Sequence, residues 1–181
     1  MSTATSTLAT RLRLPRDPRW YQITALTSLL AYGIVFLGFG VDPGRVALLV
    51  AMALAVQWLA GRSVGVERFD AKSPLISALS LSLLLRTSSL LLAMLAAALA
   101  IGSKFAIRRR GKHVFNPTNF ALVVLIAVTD GAWVSPGQWG SAAILVFAMA
   151  AAGMIVLYRA ARFDVTWAFL GSWAAILVGR A

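Results

Sequence analysis

Cysteine is absent from all 181 residues, which excludes disulfides, thiolate nucleophiles and cysteine-ligated metal clusters. There is a single histidine, His113, and only six acidic residues, so no ligand cluster is present to hold a metal and no Ser-His-Asp set of workable spacing. A Walker A sequence and a glycine-rich dinucleotide turn are missing as well. What the chain does have is apolar side chain: 60% of residues are hydrophobic and 13% charged, with a mean hydropathy of +0.81. A soluble domain of this length has too little interior to hide so much apolar surface, so the composition reads as an all-α integral membrane protein. The net charge of +11 raises the question of nucleic acid. No soluble module is left to present a basic face, so no nucleic-acid partner is expected, and the lipid bilayer is the first expected partner.

Residues 1–19 are polar and carry Arg11, Arg13, Arg16 and Arg19 against one acid, Asp17. An opening rich in Ser, Thr and Arg is what an organelle transit peptide has, but Pro15 and Pro18 oppose the amphipathic helix such a peptide needs. A basic cytoplasmic tail is the preferred reading, followed by a membrane helical domain over 20–181. Seven apolar segments lie at about 20–40, 44–61, 73–86, 88–103, 117–130, 139–158 and 164–180. A helix needs ~20 residues to cross ~30 Å of hydrocarbon. The first, second and sixth segments come close. The third and fifth, with about 14 residues, cross only by thinning, tilting or running into less apolar flanks, or they are broken helices. Six to seven transmembrane or broken helices are therefore expected. Trp20, Tyr21, Trp133, Trp139 and Tyr158 stand at segment ends, as interfacial aromatics do.

The charges orient the segments. If all seven cross and the amino terminus is cytoplasmic, the inner side receives the tail and the loops 62–72, 104–113 and 159–163. These hold four, three, five and two basic residues, fourteen of the seventeen. Only Arg45, Arg86 and Arg180 fall outside. The positive-inside rule then puts the amino terminus of a multi-pass protein in the cytoplasm, and the expected location is a bacterial-type inner (plasma) membrane.

Candidate binding residues gather at two segment starts. Asn116-Pro117-Thr118-Asn119 opens the fifth segment. Asn116 is a natural cap and Pro117 suits a first helical turn, so the motif reads either as a plain helix start or as a site for an anionic or polar-headed ligand. Arg110, Lys112 and His113 lie just upstream and add charge. Ser73-Pro74 opens the third segment in the same way. Ser73, Ser77, Ser80 and Ser82 serve close helix packing, or Ser73 and Ser77, one turn apart, line a polar path facing the fifth segment. The run Arg108-Arg109-Arg110 with Lys104 and Lys112 reads as a topology signal before a binding patch. Arg86 costs ~2.5–3.5 kcal/mol at a bilayer centre, so it is expected to end the third segment and snorkel outward, with Asp130 within geometric reach.

Several stretches carry a family resemblance. They are Asp70 and Ser73 before LISALSLSLLL, Gly102-Ser103-Lys104-Phe105 closing the fourth segment, GKHVFNPTNF at 111–120, and IVLYRAARFDVTWAFLGSW at 155–173. This central block resembles a family of membrane proteins found in Rnf-type electron-transport complexes (the Rnf-D type) and in the sodium-pumping NADH:quinone oxidoreductase (the Nqr-B type). The signature of that family is Gly-x-Asn-x-Phe-Asn-Pro. The resemblance implies a membrane subunit of an ion-translocating, flavin-linked electron-transport system, not catalytic alone. It also implies a bundle similar to ammonium and urea transporters, of which this chain supplies half or more, and partners among other membrane subunits or a second copy. On that footing FMN or riboflavin is bound non-covalently near Asn116, Pro117, Thr118, Asn119, Lys112, Ser73 and Ser77. Relatives that hold FMN covalently use a Thr in a Ser-Gly-Ala-Thr-like loop between the fifth and sixth helices. The loop here is TDGAWVSPGQWGS, so covalent attachment is not expected. Arg86-Thr87 stands where the family often has prolines. No second copy of SPLISAL or FNPTN follows, and the chain stops where about three more helices of an inverted-repeat bundle are expected. It reads as a fragment, a naturally short form, or a protomer that completes its site with another chain. The alternative function is a small-solute or vitamin permeation protein on the same fold, without redox function.

Overall fold

In the computed structural model, residues 17–66, 68–135, 143–161 and 163–180 are described. They form α1 (Pro18–Phe36), α2 (Pro43–Ser63), α3 (Lys72–Leu84), β1 (Leu85–Thr87), α4 (Leu90–Ala106), β2 (Arg108–Arg109), β3 (Lys112–His113), α5 (Pro117–Val128), β4 (Ala132–Val134), α6 (Ala143–Ala160) and α7 (Phe163–Val178). The chain is mostly helical, and each expected apolar segment contains one helix. Arg11, Arg13, Arg16, Trp139 and Arg162 lie outside the described residues.

Local chemistry sets the helix starts. Asp17, Asp42 and Asn116 each precede a proline and each accepts a backbone N–H of the first turn. Proline has no N–H to lose there, and the side-chain oxygen satisfies one that the helix leaves open. Ser89 caps α4 through the N–H of Leu92 at 3.3 Å. α1 therefore begins at Pro18, two residues inside the expected tail. It ends at Phe36, short of the expected residue 40, because Gly38 takes φ +63° and turns the chain back. The N–H of Phe39 then meets the carbonyl of Gly33 at 2.9 Å, and the Phe39 ring lies where a Cβ on Gly33 would be 2.5 Å away.

The third and fifth segments are not single helices to their ends. α3 has 13 residues and α5 has 12, and each gives way to extended chain. β1 and β4 pair antiparallel with Leu85 opposite Val134, Arg86 opposite Trp133 and Thr87 opposite Ala132. The N–H of Ser135 continues the ladder to the carbonyl of Leu84 at 2.9 Å. Backbone groups released at a helix end need partners when no water is near, and here the two broken helices supply them to each other. Helix plus strand gives each of these segments a contour of roughly 30 Å or a little less at ordinary rises. Arg86 sits in this ladder. It donates to the carbonyls of Ser82 (3.3 Å) and Leu85 (3.2 Å), and among the described residues it makes no ion pair with Asp130.

α2 and α4 form the centre. Ala93, Ala96, Ala97, Ala100 and Ile101 of α4 are fully buried, in one cluster with Leu49 and Ala53 of α2 and Ala121, Leu122 and Leu125 of α5. Alanines spaced by three and four residues keep one helical face small, so neighbouring backbones approach closely. A second cluster of Leu30, Phe39, Leu79 and Leu83 joins α1 to α3.

The outside of the bundle is apolar. α7 has no buried residue, and Phe147, Trp167, Phe169 and Trp173 stand exposed. By length and composition α2 is long and apolar enough to cross a membrane, and 17% of its apolar window is buried. Charge is segregated. Arg19, Asp70 and Lys72 meet at one end, Lys104 reaches Gln57 and Ser73 there, and Arg159 lies over Tyr21 at 5.0 Å. Arg45 and Arg86 belong to the opposite end, where Arg45 donates to the carbonyl of Thr87.

Candidate functional site

At the basic end, the starts of α1, α3 and α5 enclose a cleft of about 290 Å³. Ser73, Ile76, Ser77, Ser80 and Leu84 line it from α3, a spacing that places all five on one helical face. Asn116, Pro117, Thr118 and Asn119 line it from α5, Arg19 and Gln22 from α1, and His113 from the hairpin. Six of the seven residues expected from the sequence are thus brought together: Ser73, Ser77 and Asn116 to Asn119. The seventh, Lys112, is not among the cleft's lining. It lies with Arg109 and Arg110 on a separate open basic surface that shares only His113 with the cleft.

The reason is the β2–β3 hairpin. Arg108 pairs with His113 and Arg109 with Lys112. Arg110 (φ 51°) and Gly111 (φ 77°) occupy the two left-handed positions of a tight two-residue turn. Successive strand residues face opposite ways, so His113 is placed toward the cleft and Lys112 is not.

Asn116 caps α5, accepting the N–H of Asn119 at 3.2 Å. The helix-start reading is therefore correct, and the same residue also lines the cleft. Thr118 and Ser77 are buried in its wall, and Asn119 is exposed. Two polar assemblies hold the walls in place. In the first, Lys104 donates to Gln57 Oε1 and Ser73 Oγ, both at 2.8 Å, tying α4 to α2 and to the first turn of α3. In the second, Arg19 donates to Asp17 (2.9 Å) and to Asp70, and Lys72 lies 3.0 Å from Asp17. The Arg19 guanidinium and then the Lys72 ammonium hold the Asp17 carboxyl far below the usual carboxylate range. Burial alone raises Asp70, but the backbone N–H of Lys72 and the guanidinium of Arg19 outweigh it and leave the carboxyl lowered. Both acids are ionised at neutral pH, so the cleft mouth is an ion-pair network with the Arg19 guanidinium at its rim.

Sequence reasoning does not find Arg19 and Gln22, which stand about fifty residues before Ser73 in the chain. It also gives Lys104 to topology alone. The signal for a structural role is its place one residue after Ser103, still on the apolar helix, where a cation needs a buried partner. Among the described residues no group of three or more His, Asp or Glu is gathered as a metal would need. Protein-family models, curated proteins and solved structures gave no match to this chain.

Proposed function

We propose that this chain is a multi-pass membrane subunit related to the Rnf-D and Nqr-B type family, with its basic end in the cytoplasm. In this reading the α3–α5 cleft takes a flavin, FMN or riboflavin, non-covalently. The observation that carries it is the convergence of the Asn116–Asn119 start with Ser73 and Ser77 on one cleft at the basic end. The membrane reading is supported by the exposed apolar α7, the apolar exterior of α2 and the segregation of charge. Those features are costly in water and natural in lipid.

The residues present fit the group. Carboxamides of Gln22, Asn116 and Asn119 and hydroxyls of Ser73, Ser77 and Ser80 offer donors and acceptors to the polar edge of a planar ring. Ile76, Pro117 and Leu84 offer apolar wall for its faces. Arg19 and His113 stand at the mouth, where a phosphate is drawn by charge. A flavin held there would supply one- and two-electron transfer, while the chain itself binds and orients it. The electron-transport role then belongs to an assembly with other membrane subunits or a second copy.

A second reading, small-solute permeation without redox function, is favoured by one feature: the cleft's lining follows α3 from Ser73 to Leu84, its last residue. Visible absorption of the protein purified in mild detergent, before and after denaturation, separates the two. The flavin reading expects a flavin spectrum released on denaturation, or stoichiometric uptake of added FMN or riboflavin by a colourless preparation. A colourless preparation that takes up neither overturns it in favour of permeation.

A further inference from the structure

At the end of the bundle remote from the cleft, two arginines from different helical segments line one small space. Arg45 stands in the first turn of α2, and Arg86 in the β1 strand that follows α3. Both line a cavity of about 20 Å³, together with Leu49, Ser82, Leu85 and Thr87. Part of each guanidinium is satisfied: Arg45 donates to the carbonyl of Thr87, and Arg86 to those of Ser82 and Leu85. Yet Arg45 Nε and Arg86 Nη2 are buried and have no hydrogen-bond partner. No acid lines the space, and neither arginine forms an ion pair among the described residues. Asp42, the carboxylate nearest in sequence, is exposed, caps α2 by accepting the N–H of Arg45 at 2.9 Å, and does not line the space.

Two half-buried guanidiniums that line one space repel each other, each has one buried donor without a partner, and a negative charge between them relieves both. The first turn of α2 adds its own positive end to the same place. A space of this volume suits one small monatomic species and is too small to take in a sulfate or phosphate group whole. We infer that the Arg45–Arg86 cavity is a binding site for a single halide ion, chloride under ordinary conditions, which locks the broken end of α3 to the start of α2.

Thermal unfolding of the full chain in mild detergent tests this, in a chloride series balanced with gluconate at constant ionic strength. Chloride and bromide are expected to raise the midpoint saturably, by about 3 °C or more, while sulfate has no such effect. Arg86→Gln is expected to abolish the rise, and Arg45→Lys, which keeps the charge but loses the Nε donor, to weaken it. If Arg86→Gln does not fold, binding of radioactive chloride to the wild-type protein decides the matter: stoichiometric, saturable binding supports the site and none overturns it. A midpoint indifferent to halide, or a rise of equal size with sulfate, also overturns it.

Discussion

Asn116→Ala is expected to weaken FMN binding by about 10- to 100-fold, read as quenching of flavin fluorescence by the protein in detergent. Two losses combine. The cap to the Asn119 N–H disappears, at about 1 kcal/mol, so the first turn of α5 that forms the cleft wall frays. The carboxamide facing the cleft disappears with it, and a further 1.4 kcal/mol is about another tenfold. Ser80→Ala, on the same cleft but remote from any cap, is expected to change affinity by less than about threefold. Asn116→Asp separates the two contributions. Aspartate caps as well as asparagine, so the helix start is kept, while the amide donor is replaced by a negative charge that repels an anionic ligand. Stability should then match wild type and affinity should not. Equal and negligible effects of Asn116→Ala and Ser80→Ala would remove the cleft from consideration.

The second large effect is on the fold. Ala97 is fully buried in the alanine face of α4. Ala97→Leu forces additional side-chain atoms into a seam built for close backbone approach, and overpacking of this kind costs about 1–3 kcal/mol or more. A clear drop in the thermal midpoint is expected, with loss of the α2–α4–α5 arrangement that positions the start of α5. Val123→Leu, at a site 67% exposed on the exterior of α5, is the matched control and should stay within about 0.5 kcal/mol of wild type. Similar midpoints for the two variants would contradict the packing described for α4.

How far the sequence speaks depends on whether the signal is local. Helix starts are legible because Asp17-Pro18, Asp42-Pro43 and Asn116-Pro117 carry both a cap and a residue that tolerates a first turn. The ends of α3 and α5 are not. Leu85-Arg86-Thr87 contains no glycine or proline, and what stops α3 there is pairing with Ala132–Val134, nearly fifty residues on. Six cleft residues are legible because each sits at a helix start or one turn inside it. Lys112 misleads because the nearness of a charge in sequence says nothing about direction, which the Arg110–Gly111 turn decides. Arg45 and Arg86 look like stray charges, and only the fold brings them to one cavity.

The proposed function depends first on the bundle crossing a membrane with its basic end and cleft in the cytoplasm. The natural absence of cysteine makes single-cysteine labelling a clean test. Ser88→Cys, exposed between β1 and α4, and Lys112→Cys, exposed on the basic hairpin, are expressed separately in bacterial cells and treated with a membrane-impermeant maleimide. Ser88→Cys is expected to react in intact cells and Lys112→Cys only after the membrane is opened. The reverse pattern, or both proteins reacting only after lysis and recovered from the soluble fraction, would contradict this topology.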